Sequence, residues 1–222
     1  MNGKLIVIEG LDGSGKATQA QLLAETLTRE SAAVRQLSFP CYEQEWSALA
    51  RLYLNGEFGA RPGDVNSYAA SVFFAVDRYA SFKKDWQADY AAGAVLVADR
   101  YTTSNAIYQA AKLPQADWDG YLDWLFDFEY RLLGIPAPDA VLYLDMPPAL
   151  SRRLLDHRYH GAADKRDIHE RDLAFQQAGR ESALYCAKRQ GWRVITCGQG
   201  EDARAPGDIA AEILKAAKEV IG

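Results

Sequence analysis

Residues 10–18 read Gly-Leu-Asp-Gly-Ser-Gly-Lys-Ala-Thr, a pattern able to hold a chain of phosphates. Its glycines let backbone N–H groups converge on an anion. The helix opening behind them adds positive potential, and Lys16 reaches the outer phosphates. One position departs from the pattern. A hydroxyl residue after the lysine would ligate Mg²⁺, and this chain has Ala17. Thr18 offers a hydroxyl near the α-phosphate, and Asp12 offers a carboxylate to the metal, directly or through water. Mg²⁺ keeps several of its waters, so one lost hydroxyl need not abolish binding. A second constellation is Asp99-Arg100-Tyr101. A carboxylate at a strand end can hold Mg²⁺ or its water, and the planar fork of the neighbouring arginine suits a phosphoryl group. The bland alternative is an Asp–Arg pair capping the next helix. A third is the segment 157–172, where Arg158, Lys165, Arg166 and Arg171 mix with Asp164, Asp167, Glu170 and Asp172. Charge runs of this kind are usually solvated loops. Phosphoryl transfer, however, needs positive charge over the moving group. The glycine loop carries no arginine, so Arg158 and Arg166 are candidates to supply it.

These groups need a scaffold. Five apolar, β-rich runs occur at 4–9, 34–39, 94–98, 140–145 and 192–197. They are nearly continuous rather than alternating, which predicts a parallel sheet covered on both faces. Helical stripes separate them, such as Ala20, Leu23, Ala24 and Leu27 after the glycine loop. The C-terminal stripe is Ala210, Ile213, Leu214, Ala217 and Ile221, started by Pro206-Gly207-Asp208. Long helices are expected over 65–90 and 115–133, the second ending at Gly134 before Pro136 and Pro138. Alternating strands and helices predict a doubly wound α/β fold with right-handed crossovers. Ligands then bind beyond the C-terminal strand ends, at Gly10, Phe39-Pro40, Asp99-Arg100 and just after Asp145. No repeat, low-complexity tract or linker interrupts the chain, so residues 1–222 are expected to form a single domain.

Composition narrows the partners. Of 222 residues, 49% are hydrophobic, enough for a sizeable core, and the net charge is −5. An acidic balance disfavours a nucleic-acid surface. No apolar run approaches membrane-spanning length. Cys41, Cys186 and Cys197 have no metal-ligand spacing and fit free thiols in a reducing compartment. The first residues lead directly into the first strand with no signal pattern. The expectation is a cytoplasmic chain with small-molecule substrates and neither nucleic-acid nor membrane partners.

Six motifs together resemble the thymidylate kinases, a family of P-loop nucleoside monophosphate kinases. They are GLDGSGK at 10–16, SFP at 38–40, FFAVDR at 73–78, DRYTTSNAIYQ at 99–109, PDAVLYLDMPP at 138–148 and DIHE at 167–170. The likeness runs from Lys4 to the C-terminal helix, and the segment 99–109 is its most specific part. It implies a three-layer P-loop kinase fold, with a five-stranded parallel sheet flanked by helices and a short mobile lid near 157–172. It further implies transfer of the ATP γ-phosphate to dTMP in dTTP biosynthesis, with ATP and Mg²⁺ as cofactors, by a homodimer.

The family roles transfer by position. Gly10, Asp12, Gly13, Ser14, Gly15, Lys16, Ala17 and Thr18 would hold ATP, with Arg153 against the adenine. Phe74 would stack on the thymine while Arg78, four residues on and on the same helix face, bonds its exocyclic oxygen. Asn105 would read the base edge, since an amide both donates and accepts. Tyr108 would pack under the sugar and disfavour a 2′-hydroxyl, with Ser104 and Gln109 beside it. Phe39 and Tyr42 would border the acceptor phosphate. Many relatives have a basic residue where this chain has Cys41, which leaves Arg100 and Arg51 to hold that phosphate. Lys16, Asp99, Arg100, Arg158 and Arg166 form the implied catalytic set, and Asp12 and Asp99 the metal set. Asp167 and Glu170 match an acidic pair that orients lid cations or the metal shell. Two alternatives stay open. One is a kinase for another nucleotide or for a deoxynucleoside, with Glu9 or Asp99 as base. The other, motivated by Ala17 and Cys41, is a nucleotide-binding protein without catalysis.

Overall fold

The computed structural model describes residues 2–30, 33–158 and 167–222. Five strands form one sheet: β1 (Lys4–Gly10), β2 (Val34–Ser38), β3 (Val95–Asp99), β4 (Ala140–Asp145) and β5 (Arg193–Thr196). All are parallel, in the order β2-β3-β1-β4-β5. A short antiparallel pair follows, β6 (Gly198–Gln199) and β7 (Asp202–Ala203). The helices are α1 (Lys16–Arg29), α2 (Ala48–Leu54), α3 (Ser67–Ser81), α4 (Gln87–Ala91), α5 (Thr102–Tyr108), α6 (Trp118–Phe126), α7 (Pro148–Arg158), α8 (Ile168–Arg171), α9 (Leu173–Gln190) and α10 (Pro206–Ile221).

The strand pattern follows from burial. β1, β3 and β4 lie inside the sheet and are buried almost throughout, whereas β2 and β5 lie at its edges and are partly exposed. Successive side chains of a strand point to opposite faces. Ile6 and Ile8 accordingly pack with Leu23, Leu27 and Ile213, under α1 and α10. Leu5 and Val7 pack on the other face with Leu96, Phe82, Trp86 and Tyr101. The result is three layers, helix–sheet–helix, as the sequence predicts. Ser38 and Ile8 both pair with Asp99, and Gly10 pairs with Leu144. The C-terminal ends of β1 to β4 therefore lie side by side, and the loops leaving them share one edge.

The two long helices expected from the sequence are interrupted. After α3 the backbone widens to a π-helical turn at Phe82–Trp86 before α4, and α6 does the same at Asp127–Leu132. In the first, Phe82 and Trp86 are both buried with their rings 4.6 Å apart, and the Trp86 Nε1–H donates to the Ser81 Oγ at 3.2 Å. Periodicity near 3.6 cannot signal such a turn. No helix of the described residues is long and apolar enough to cross a membrane.

Ile8 is fully buried between the sheet and α1. Ile8→Ala should lower the unfolding free energy by about 2–5 kcal/mol, the usual range for a buried isoleucine cut to alanine. Equilibrium urea unfolding measures this, and a loss well below that range would contradict the packing.

Candidate functional site

The loop between β1 and α1 turns sharply because Gly13 and Gly15 adopt left-handed backbone conformations, with φ of 79° and 88°. A Cβ at Gly13 would sit 2.5 Å from the Ser151 carbonyl oxygen, so only glycine fits there. Lys16 begins α1, and its Nζ donates to the Leu11 carbonyl at 2.7 Å. Burial and the neighbouring Arg100 charge pull this ammonium down to about 8. Ala17 and Thr18 are exposed on the first turn of α1, and Ala17 borders the cleft beside the loop. The Ser14 Oγ is buried with no hydrogen-bond partner among the described residues.

Asp12 and Arg100 tie this loop to the end of β3. The Arg100 Nη2 donates to the Asp12 Oδ1. The Asp12 Oδ2 accepts from the Tyr108 hydroxyl at 2.9 Å and from the Gln176 Nε2 at 3.2 Å. Burial alone would raise the Asp12 carboxyl, but Arg100 and Lys16 outweigh it and hold the group well below the usual carboxylate range. Arg100 has φ of +68°, the one non-glycine residue in that region among the described residues. Such a conformation costs on the order of 1–3 kcal/mol and marks functional positions. Here it turns the guanidinium toward the loop, 5.5 Å over the Tyr108 ring.

Beneath them lies Glu9, fully buried. It accepts from the Gly10 and Tyr101 backbone N–H groups at 3.3 and 3.2 Å, from the Thr103 hydroxyl at 2.7 Å and from the Ser104 hydroxyl at 2.8 Å. Burial raises this carboxyl, with Arg100 opposing the rise. Ser104 thus faces Glu9 while also bordering the cleft.

Two adjoining clefts share Asp12, Phe39, Tyr42, Leu54, Arg100 and Asp167 as common walls. The phosphate-side cleft adds Gly13, Gly15, Lys16, Arg51 and Asp99. The other runs to Phe74, Arg78, Asn105, Tyr108, Gln109 and His169. Phe39 is buried edge-on against Tyr101, whereas Tyr42 is 49% exposed. Phe74 lies edge-on to Tyr53 at 5.8 Å. Arg51 donates to the backbone carbonyls of Tyr42 and Gln44, at 2.5 and 2.8 Å. Cys41 lends its backbone N–H to the buried face of Asp77, at 3.1 and 3.2 Å, and presents no charge.

The expected base readers share a partner that the sequence does not announce. Arg78 is only 2% exposed and forms two bonds to the buried Glu129, at 2.7 and 2.5 Å. The Asn105 Nδ2 donates to the Ser71 carbonyl at 3.1 Å and to Glu129 at 3.3 Å.

Asp167 closes the site from the far side. It caps α8, accepting from the His169 and Glu170 backbone at 2.8 and 2.9 Å, and Glu170 bonds back to its N–H at 3.3 Å. Burial, with Asp12 and Glu170 nearby, raises Asp167 to about 7. His169 stacks on Tyr108 at 5.3 Å, and its Nε2 meets the Tyr53 hydroxyl at 2.8 Å. Lys112 donates to that same hydroxyl oxygen at 2.7 Å, so Lys112, Tyr53 and His169 form one hydrogen-bonded chain. Burial pushes His169 down to about 3 and Lys112 down to about 7.

Arg153 reaches the Glu201 carbonyl and lies 3.8 Å from Asp202, on the β6–β7 turn. The side chain of Arg158 and all of Arg166 lie outside the described residues. The two expected metal carboxylates differ in their surroundings. Both Asp12 oxygens are engaged by protein donors, while the Asp99 Oδ1 is buried with no hydrogen-bond partner among the described residues. No group of three or more His, Cys, Asp or Glu able to hold a metal occurs among the described residues. The donor set fits an ion held largely by phosphate oxygens and water, with Asp99 as the available protein oxygen. Sequence reasoning missed Glu129, Gln176, His169 and Lys112 as parts of the site. Only Glu9, a lone carboxylate in an apolar strand, carries a readable signal of burial with partners.

The family model for thymidylate kinase matches residues 8–203. The chain is 35% identical over 218 residues to the thymidylate kinase of Mycobacterium tuberculosis, covering 94% of this chain and 96% of that protein. It is 33% identical over 159 residues to the thymidylate kinase of Caenorhabditis elegans, covering 67% and 66%. Among solved structures, a thymidylate kinase from Candida albicans superposes with a TM-score of 0.73 at 22% identity, over 98% of this chain and 92% of that one.

The raised Asp167 carboxyl has a signed consequence. A carboxyl raised in the fold stabilises most below its unfolded value near 4, and that contribution is lost as pH rises through about 7. Asp167→Asn keeps a good helix cap and removes this titration. Between pH 5 and 8 the melting temperature of the variant should rise relative to the parent. A constant difference across that range would refute the raised carboxyl.

Proposed function

The chain belongs to the thymidylate kinase family, and from that premise we propose that it transfers the γ-phosphoryl group of ATP to dTMP, giving dTDP. The observation that carries this reading is the pair of clefts joined across Asp12 and Arg100. One has the phosphate loop and Lys16; the other has an aromatic wall and amide and guanidinium groups suited to a base. A donor and an acceptor bound in them would meet at Arg100.

ATP lies with its phosphates on the loop at 10–16, at the N-terminus of α1. Lys16 follows the migrating phosphoryl group. Arg100 holds the dTMP phosphate, with Arg51 and Tyr42 at its edge. Magnesium bound with ATP would neutralise phosphate charge, and Asp99 would hold it or its water. Asp12 acts by orienting Arg100 and Tyr108. Ala17 contributes neither hydroxyl nor charge, so Arg158 and Arg166 from the lid segment 157–172 supply the remaining positive charge. The acceptor oxygen is already anionic near neutral pH, so no general base is needed. That separates this reading from a nucleoside kinase, which would need a free carboxylate near the sugar. Glu9, one candidate for that base, is saturated by four donors beneath the site.

Residues 1–222 are read as one kinase domain. The three cysteines are free thiols, which supports a reducing, cytoplasmic setting. A homodimer is supported by α3, where Tyr68, Val72, Val76 and Tyr79 form an exposed apolar stripe at helical spacing. Solvated helix faces are usually polar, and a stripe of this kind suits a second copy of the chain.

Two measurements test these readings. ADP release should require dTMP, and Lys16→Ala should cut turnover by about 10²-fold or more, the usual cost of losing a preorganised charge donor. Activity near the parent level would remove Lys16 from the phosphates. Val76→Arg should shift the chain to monomer in sedimentation velocity. A parent that already sediments as a monomer would overturn the dimer.

A further inference from the structure

Arg78 and Asn105 border the acceptor cleft from two different helices, α3 and α5. Neither is free to choose its orientation. Glu129 stands behind both, fully buried, and its Oε1 and Oε2 accept from Arg78 Nη2 and Nε. The same carboxylate accepts from Asn105 Nδ2 at 3.3 Å and from the Thr102 hydroxyl at 2.8 Å. It sits in the π-helical turn Asp127–Leu132 that follows α6. Such turns are rare and are frequent at functional sites. Regular α-helix would rotate Glu129 away from this position.

The donor inventory then fixes polarity. The Asn105 amide has an NH₂ side and an oxygen side. Its NH₂ faces two acceptors, the Ser71 carbonyl at 3.1 Å and Glu129. A flipped amide would set its oxygen against both, so the oxygen is the side left for a ligand. Arg78 has used Nε and Nη2 on Glu129, which leaves Nη1, held only by a 3.4 Å contact to the Tyr101 carbonyl. The cleft therefore offers an acceptor from Asn105 and a donor from Arg78. A thymine or uracil edge presents N3–H and an O4 oxygen, which match both. A cytosine edge presents a bare N3 and a 4-amino group, which match neither.

We propose that Glu129 is a positioning residue for acceptor selectivity: it locks the Asn105 amide and the Arg78 guanidinium into the one polarity that accepts a 4-oxo pyrimidine and rejects a 4-amino one. This rests on the thymidylate kinase reading above. Glu129 touches neither substrate and acts through the two side chains it holds. Its removal leaves the phosphate loop, Asp99 and Arg100 in place.

The test is steady-state kinetics of Glu129→Gln with dTMP, dUMP and dCMP. A glutamine amide presents an NH₂ to groups that are themselves donors, so the lock fails with little change of shape. The KM for dTMP should rise about 10–100-fold, the usual effect of losing bonds to a buried charge. The dTMP-to-dCMP ratio of kcat/KM should fall at least tenfold. Saturated kcat and the KM for ATP should stay within about threefold, which general damage to the fold would not allow. If Glu129→Gln does not fold, Glu129→Asp keeps the charge but withdraws the carboxylate by one methylene. The same rise in KM and loss of selectivity are expected, in smaller measure. Unchanged selectivity in the variant that folds, or parallel losses for ATP and dTMP, overturns the role of Glu129 and leaves the kinase reading standing. A parent enzyme with no dTMP-dependent turnover overturns both.

Discussion

The contact on which the site depends is the Asp12–Arg100 bridge. It joins the phosphate loop after β1 to the turn after β3, two segments that neighbour each other only because β1 and β3 pair in register. Several side chains around the phosphate loop are tied to it. Lys16 lies 4.0 Å from Asp12, Tyr108 and Gln176 bond to the same carboxylate, and Arg100 spans the two clefts. The Arg100 side of the bridge has a strained backbone. The left-handed residue and the ion pair occur together, and the surrounding fold carries the cost of that conformation.

Charge inside this molecule is managed by donors rather than by solvent. Glu9 and Glu129 are both fully buried, and each is surrounded by N–H and O–H groups. An unpaired carboxylate there would be prohibitively costly, so each one dictates where its neighbours point. Glu9 fixes the start of α5 by gripping Tyr101, Thr103 and Ser104. Glu129 holds the same first turns from another side, through Thr102 and Asn105. Helix α5 is only two turns long and has little stability of its own. These two carboxylates hold its first turns, while Tyr121 and Ser182 bond to the Asn105 and Ile107 carbonyls farther along.

The sheet was legible in the sequence because buried parallel strands must be apolar along their whole length. The five runs were found within a residue or so at their ends. The phosphate loop was legible because few sequences place Gly13, Gly15 and Lys16 between a strand and a helix. The interior of the site was not. An acidic residue at 129 lies in a helical stretch that also carries Asp123 and Asp127, and nothing in its spacing separates a buried carboxylate from exposed ones. The difference is made by the π-helical turn, which depends on packing. The Lys112–Tyr53–His169 chain was hidden for another reason: its members come from three distant segments, and only the folded chain brings them within bonding distance.

Ala17 changes meaning in this setting. At the start of α1 it is exposed and faces the phosphate cleft, so the side chain there is chosen without constraint from the core. A hydroxyl would add a metal ligand and an arginine would add charge, and this chain has neither. Of the cations that line the phosphate cleft, Arg100 is committed to Asp12 and Arg51 to two backbone carbonyls. Lys16 is held by one carbonyl bond, and its buried ammonium sits near 8. Bound phosphates would replace that carbonyl with negative charge and raise the ammonium again, so Lys16 gains most from substrate. An active site organised this way is electrostatically incomplete by itself. Its charge balance shifts when a phosphate-bearing ligand binds beside Lys16, which ties the electrostatics of the cleft to its occupancy.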